Sequence, residues 1–241
     1  MRTGFVVSDL HLFAERSRAH HILKDLHDAA AAGEFLVLNG DIFDFKWSSL
    51  DSHEETVQMA ADWISGLVKR HPHCQFHYVL GNHDAYAPFA HRLDALGQEW
   101  TNLTVHPTHV RLGDCLFLHG DLAMGRNTDP FRRRLVEEES IKGGHANRAY
   151  NLFVGLHAHR LIDLAHSRFL VPRRIHRCLL EAGNPVIEGV RHIYFGHTHA
   201  PFSEHTYKGV VFHNTGSAIH NSHAHLLRVT PQPLPDHCGE A

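Results

Sequence analysis

The stretch that decides the fold is Gln75-Phe76-His77-Tyr78-Val79-Leu80-Gly81-Asn82-His83-Asp84. Its first six residues form an apolar run of strand length, and Gly-Asn ends it. A buried strand that stops this way delivers polar side chains to one point at a sheet edge. Asn82 offers a neutral amide oxygen to a metal, and His83 can move a proton near neutral pH. Asp84 is expected to hold and polarise that imidazole. Four polar residues alone prove little, so the reading depends on whether other strands end alike.

They do. Gly4 to Ser8 is a short buried strand that runs into Asp9-Leu10-His11. Residues two apart at an extended strand end point the same way, so Asp9 and His11 face one site. Taken singly, an Asp-x-His is more simply a loop with a helix cap. Arg18 to Ala32 carries an amphipathic pattern stopped by Gly33, and Phe35 to Leu38 is the next strand. That strand runs into Asn39-Gly40-Asp41-Ile42-Phe43-Asp44, where Asp41 is either a turn residue or a carboxylate able to bridge two cations. Glu54 to Lys69 is a second helix. Strand, helix, strand, helix, strand at this pitch predicts a mostly parallel or mixed sheet, with its active edge at the strands' carboxyl ends.

Beyond Asp84, Ala87 to Leu96 reads as a short helix, and Thr108 to Leu112 pairs across Gly113-Asp114 with Cys115 to Leu118. That return strand ends in His119-Gly120-Asp121. Arg191 to Phe195 is another buried run and ends in Gly196-His197-Thr198-His199. Phe202 to Tyr207, Gly209 to Asn214 and Ala224 to Val229 read as antiparallel strands. Between them Thr215-Gly216-Ser217 reads as a tight loop. The sequence predicts one domain over 1–230 with a helical insertion at about 125–190, then a loose tail over 231–241. The insertion is either a packing hairpin or a cap, whose Arg132, Arg173, Arg174 and Arg177 would select substrate.

Composition narrows the class. Of 241 residues, 43% are hydrophobic and 20% charged, which suits a globular enzyme. The formal net charge of −3 supplies no basic field to recruit nucleic acid. Twenty-seven histidines make any lone His a weak ligand signal. Four cysteines without a Cys-x-x-Cys pair argue against a zinc knuckle or a disulfide frame. With no signal-like leader and no long apolar stretch, the expectation is a cytoplasmic protein with at most peripheral inner-membrane contact.

Asp9, His11, Asp41, Asn82, His119, His197 and His199 are seven oxygen or nitrogen donors at strand ends. The set is too large for one cation and suits two, with Asp41 as the natural bridge. Imidazole mixed with carboxylate fits Mn first, with Fe, Zn or Co as alternatives to a pure Mg or Ca cage. The five blocks, in order, resemble those of the calcineurin-like metallophosphoesterases. That resemblance implies a four-layer αββα sandwich. It implies one metal on Asp9, His11, Asp41 and His199, and a second on Asp41, Asn82, His119 and His197. It also makes His83 the proton donor to the leaving oxygen, oriented by Asp84.

Within the family, the layout is similar to the UDP-2,3-diacylglucosamine pyrophosphohydrolases of lipid A synthesis. Chain length, the spacing from His119-Gly120-Asp121 to Asp129 and Phe131-Arg132, and the insertion before Gly196 carry that likeness. Those enzymes usually have Arg where this chain has His83. The expected substrate is a small phosphoester: a lipid-linked nucleotide sugar, or alternatively another phosphodiester or phosphomonoester. A metal-free interaction scaffold is the rival from another class, and it should show broken ligands; none of the seven is missing.

Overall fold

The computed structural model describes residues 2–121, 166–181, 185–219 and 223–234. Its strands are β1 (Gly4–Val7), β2 (Phe35–Asn39), β3 (Gln75–Val79), β4 (Leu103–His106), β5 (His109–Leu112) and β6 (Cys115–Leu118). They continue with β7 (His192–Phe195), β8 (Phe202–Tyr207), β9 (Val210–Asn214) and β10 (Leu227–Val229). The helices are α1 (Leu23–Ala32), α2 (His53–Arg70), α3 (Ala87–Glu99) and α4 (Val171–Glu181). Two five-stranded sheets result, in the orders β10-β1-β2-β3-β4 and β5-β6-β7-β9-β8. β1, β2, β3 and β4 run parallel, as do β6, β7 and β9.

Alternation along the strands builds three apolar layers. Leu36 and Leu38 of β2, with Phe76 and Tyr78 of β3, pack with Leu26 of α1, Ile64 of α2 and Phe89 of α3. Val6, Val37 and Val79 face the opposite way and meet Cys115, Phe117 and Tyr194 of the second sheet. Leu116, Ile193, Phe195 and Phe212 then face Val171, Ile175 and Leu179 of α4. Helices, sheet, sheet, helix: this is the αββα sandwich. Asn39 pins the two sheets together at their active edge, donating its amide to Leu118 O at 3.0 Å and Tyr194 O at 3.1 Å.

Several elements depart from the sequence expectation. The helix expected from Arg18 is a 3-10 turn at Ala19–His21 followed by α1, since Ser17 and Arg18 are held to the loop near Ala218. β10 lies beside β1 in the first sheet, not next to β9, because Gly4 to Val6 present an open edge to it. The tail expected to be loose from 231 starts tied down: Gln232 N donates to Asp114 Oδ1 at 2.8 Å, and Gln232 O accepts from Asp114 N. Positions 235–241 lie outside the described residues. So does most of the expected insertion, including Arg132; only its last part, a π-helical turn at His166–Leu170 followed by α4, is described.

Candidate metal centre

Five strands, three from the first sheet and two from the second, open their carboxyl ends on one edge. β1 delivers Asp9 and His11, β2 delivers Asp41, β3 delivers Asn82 and His83, β6 delivers His119, and β7 delivers His197 and His199. The pairing of β1 with β2 continues past both strands, through Asp9 N to Gly40 O and His11 N to Asp41 O, both at 3.0 Å. That continuation sets the two acidic blocks side by side.

Five of these residues leave their strands in left-handed backbone. Asp9, His11, Asp41, His197 and His199 have φ of 53°, 47°, 52°, 66° and 55°. A non-glycine residue held there costs about 1–3 kcal/mol and persists only where its surroundings enforce it. The glycines that precede the ligands serve another purpose, close approach. A Cβ on Gly81 would strike the Asp41 carboxylate, and one on Gly196 would strike Asp9 Oδ2 and Ser8 Oγ. We expect Gly196→Ala to displace Asp9 and weaken metal retention at least about tenfold, against about 1 kcal/mol for an ordinary substitution. Equilibrium dialysis with Mn²⁺ measures it, and unchanged affinity would remove Gly196 from the argument.

Among the described residues, three groups of side chains converge closely enough to hold a cation: Asp9, His11 and His199; His11, Asp41 and His83; and Asp41, His119 and His197. In the first, His199 Nε2 lies 3.3 Å from Asp9 Oδ1 and 3.2 Å from His11 Nε2. In the third, His119 Nε2 lies 3.0 Å from Asp41 Oδ2. Of the two ligand sets expected from the sequence, the first group gathers Asp9, His11 and His199 without Asp41, and the third gathers Asp41, His119 and His197 without Asn82. Asn82 Oδ1, the remaining donor, is buried without a hydrogen-bond partner. An orphaned buried oxygen costs about 1–3 kcal/mol, which a cation would offset. The donors are all oxygen or imidazole nitrogen, so the residues fit hard or borderline divalent ions.

Hydrogen bonds fix which imidazole nitrogen is available. His119 Nδ1 is 3.2 Å from Asn39 O and His11 Nδ1 is 3.2 Å from Asp44 Oδ2, which leaves both Nε2 atoms for the site. Electrostatics point the same way. Burial alone would raise Asp9, but His119 and His199 pull its carboxyl below the usual range. Asp41 is likewise lowered against its burial, by His119 and His83. Burial works against a charged His119, yet Asp41 and Asp9 push its pKa up to about 10. A cation in the site would take the place of that proton.

One sequence expectation needs correcting: Asp84 does not orient His83. Asp84 accepts from Gly81 N at 2.6 Å, Tyr78 OH at 2.8 Å and Ile42 N at 2.9 Å, tying the loop after β3 to the loop after β2. Every bond it makes goes elsewhere, and burial with nearby Asp41 pushes it up to about 7. The carboxylate on His83 is Asp44, whose Oδ1 is 3.0 Å from His83 Nδ1. Asp44 is fully buried and held well below its usual pKa, burial being outweighed by His83 and His11. It raises His83 to about 9 against the burial that would lower it. Adjacency in sequence suggested Asp84, whereas the turn at Gly81-Asn82 sends the two side chains apart.

A further polar block was read only as a loop. Asn214-Thr215-Gly216-Ser217 follows β9 at the same edge and is buried or nearly so. Asn214 donates to Gly196 O at 3.2 Å and Thr198 Oγ1 at 2.9 Å, and Ser217 Oγ donates to Asp9 O at 3.2 Å. Ser8 Oγ bridges Asp9 Oδ2 and Thr215 Oγ1. His197 N completes the cradle, 3.0 Å from both Asp9 oxygens. These groups orient ligands without being ligands. The signal was available: Asn214 ends a buried strand just as Asn39 does.

A family model described as calcineurin-like phosphoesterase matches residues 5–201, which spans the five candidate ligand blocks from Asp9 to His199 and stops short of Asn214 to Ser217. The chain belongs to the calcineurin-like phosphoesterase family. It is a metal-dependent hydrolase of phosphoric esters, and the family implies a dinuclear divalent metal centre. A comparison with curated proteins finds no match. Among solved structures, a dimetal phosphatase from Danio rerio is similar over 95% of this chain and 92% of its own, at 14% identity and a TM-score of 0.47. That similarity is too low to transfer any residue or substrate to this phosphoesterase. Of the expected substrate residues, Arg173 leans over Tyr207 of β8 at 5.8 Å, and Arg174 and Arg177 are exposed on α4. No helix among the described residues is long and apolar enough to cross a membrane.

Proposed function

We propose that this phosphoesterase cleaves phosphodiesters or phosphomonoesters whose leaving group is an alcohol or phenol, with His83 as the proton donor. The observation that carries the reading is the His83–Asp44 contact. It holds Nδ1, leaves Nε2 for the cleft, and keeps the ring protonated at neutral pH. An alkoxide is a strong base and leaves poorly unless it is protonated as the bond breaks. Asp9, His11, Asp41 and His199 would hold one divalent ion, and Asp41, Asn82, His119 and His197 the other, with Mn the first candidate and Fe, Zn or Co the alternatives. When bound, such a pair supplies a nucleophilic hydroxide near neutral pH and neutralises charge on the phosphoryl oxygens. The protein's own share is to fix those donors through Asn39, Ser8, Thr215 and Asn214, and to present the His83 proton.

A second reading is hydrolysis of the pyrophosphate of UDP-2,3-diacylglucosamine to UMP and lipid X. It is favoured by the spacing around His119-Gly120-Asp121 and by the arginines of α4, which a cytoplasmic enzyme working at the inner-membrane surface would turn toward a lipid-linked nucleotide sugar. Against it stands the acid itself. The phosphate released from a pyrophosphate has a second pKa of about 6 and needs no proton to leave at neutral pH.

The test is product release with Mn²⁺ from UDP-2,3-diacylglucosamine, bis(4-nitrophenyl) phosphate, diphenyl phosphate and 4-nitrophenyl phosphate. On the proposed reading, His83→Ala slows diphenyl phosphate by about 100-fold or more, the usual weight of a general acid, and spares the nitrophenyl esters, whose leaving group needs little help. Rapid UMP release with little activity on any aryl ester would overturn it in favour of the pyrophosphate.

A further inference from the structure

Arg16 lies outside every motif block, in the loop after β1, yet its side chain is 94% buried. Its Nη2 donates to Asp44 Oδ2 at 3.1 Å, and its guanidinium sits 5.2 Å from the centre of the Trp47 ring. Asp44 therefore has four donors. Oδ1 takes Trp47 N at 2.9 Å and His83 Nδ1 at 3.0 Å; Oδ2 takes His11 Nδ1 at 3.2 Å and Arg16. One carboxylate thus fixes an imidazole of the proposed metal site and the proposed proton donor, whose rings meet edge to face at 4.9 Å. A carboxylate can pivot about its bond to Cβ, and with only Trp47 N and two imidazoles it would have one rigid anchor. Arg16 supplies the second, on the other oxygen, and Trp47 contributes to both: its backbone holds Oδ1 and its ring flanks the guanidinium.

We propose that Arg16 is a positioning residue which, through Asp44, fixes the orientation of the His83 ring, and thereby the direction in which its proton is delivered. The catalytic half of this statement rests on the reading of His83 given above; the positioning half does not. A purely structural ion pair would tie down the loop after β1 and affect all substrates alike. A positioning role acts through His83 and so distinguishes between substrates by leaving group.

The experiment uses the full chain with Arg16→Lys, Arg16→Met and His83→Ala, each first checked for folding and Mn²⁺ content. Arg16→Lys keeps the charge in a buried site and guards against a variant that fails to fold. Proton NMR on the chain loaded with diamagnetic Zn²⁺ in place of Mn²⁺ reads the low-field Nδ1–H signal of His83, assigned by its loss in His83→Ala. We expect that signal to shift in Arg16→Lys and to broaden or vanish in Arg16→Met. Turnover of diphenyl phosphate should fall about tenfold more than that of bis(4-nitrophenyl) phosphate in Arg16→Met, with partial rescue by Lys. In the His83→Ala background, Arg16→Lys should add no further leaving-group dependence. An unmoved His83 signal in both Arg16 variants would overturn the positioning role, even if the wild-type chain cleaves neither aryl ester. A shifted signal with equal losses on the two esters would overturn the catalytic consequence. If His83→Ala itself shows no leaving-group dependence, the acid assignment fails and the NMR result alone decides for Arg16.

Discussion

Asp41→Asn is expected to empty both metal sites and to lower turnover by at least about a thousandfold, a loss of about 4 kcal/mol in transition-state stabilisation. Asp41 belongs to two of the converging groups, one with His11 and His83 and one with His119 and His197; Oδ2 faces His119 Nε2 while Oδ1 accepts from His83 N at 2.7 Å. On the proposed ligand sets, removing its charge takes an anion from each cation at once. Asparagine is the informative replacement because it tolerates the left-handed backbone that position 41 adopts, φ 52°, and is nearly isosteric. Any loss then follows from charge, not from a distorted loop. The same charge also supports the metal-stripped fold, because His119 and His83 hold the Asp41 carboxyl below its usual range against its burial. The metal-stripped variant should therefore unfold earlier than the metal-stripped wild type at neutral pH. Metal analysis after gel filtration decides the matter: two ions retained per chain of Asp41→Asn would refute the bridge.

Both the sheet and the gathering of candidate ligands at one edge were legible in the sequence, and for the same reason. A buried parallel strand is a continuous apolar run, so its end is sharp, and a polar residue just after it is placed by geometry. Asp9, Asp41, Asn82, His119 and His197 each follow such a run, and the structure brings them to one edge. Side-chain partnership across loops was less legible. Asp84 stands next to His83 in sequence but bonds to Ile42, Gly81 and Tyr78, while Asp44, 39 positions away, holds the ring. Proximity along the chain is a poor guide where left-handed residues and glycines reverse its direction. β10 was legible as an antiparallel strand but its neighbour was not: period-2 alternation identifies a strand, not the edge it will join. The cradle around Asp9 was missed because Asn, Thr, Gly and Ser together carry the composition of an ordinary turn.

The histidines outside the site lead to the second large effect: in the metal-stripped chain the paired imidazoles should cost about 2 kcal/mol of stability between pH 7 and pH 5. His77 of β3, on the same face as Val79, has Nδ1 3.2 Å from His106 Nε2, and His192 Nδ1 lies 3.1 Å from His213 Nε2. Glu204 N points at His213 Nδ1, so that nitrogen accepts and cannot take a proton without breaking the contact. Burial first, then the partner imidazole, lowers His77 and His213 to about 4. A group lowered in the fold binds protons more readily when unfolded. Its cost is absent above the unfolded pKa of about 6.5 and grows as pH falls toward 4. Full burial would make this about 1.4 kcal/mol per pH unit for each ring, and partial solvent access brings it to about half. Asp84, raised to about 7 and fully buried, works in the opposite direction over the same interval with a comparable magnitude, so the imidazole cost is read by comparing variants and not from the wild type alone. His83 and His119, raised to about 9 and 10, also favour the fold as pH falls from 7 toward the unfolded value of about 6.5, and add no slope well below it. Less strongly lowered His27, His71 and His106 add to the acid side, each through burial. Urea unfolding of the metal-stripped wild type and His77→Val at pH 7 and pH 5 isolates one ring: the variant should gain about 1 kcal/mol on the wild type at pH 5 relative to pH 7. An equal change with pH in the two chains would show that His77 accepts a proton in the folded chain as easily as in water.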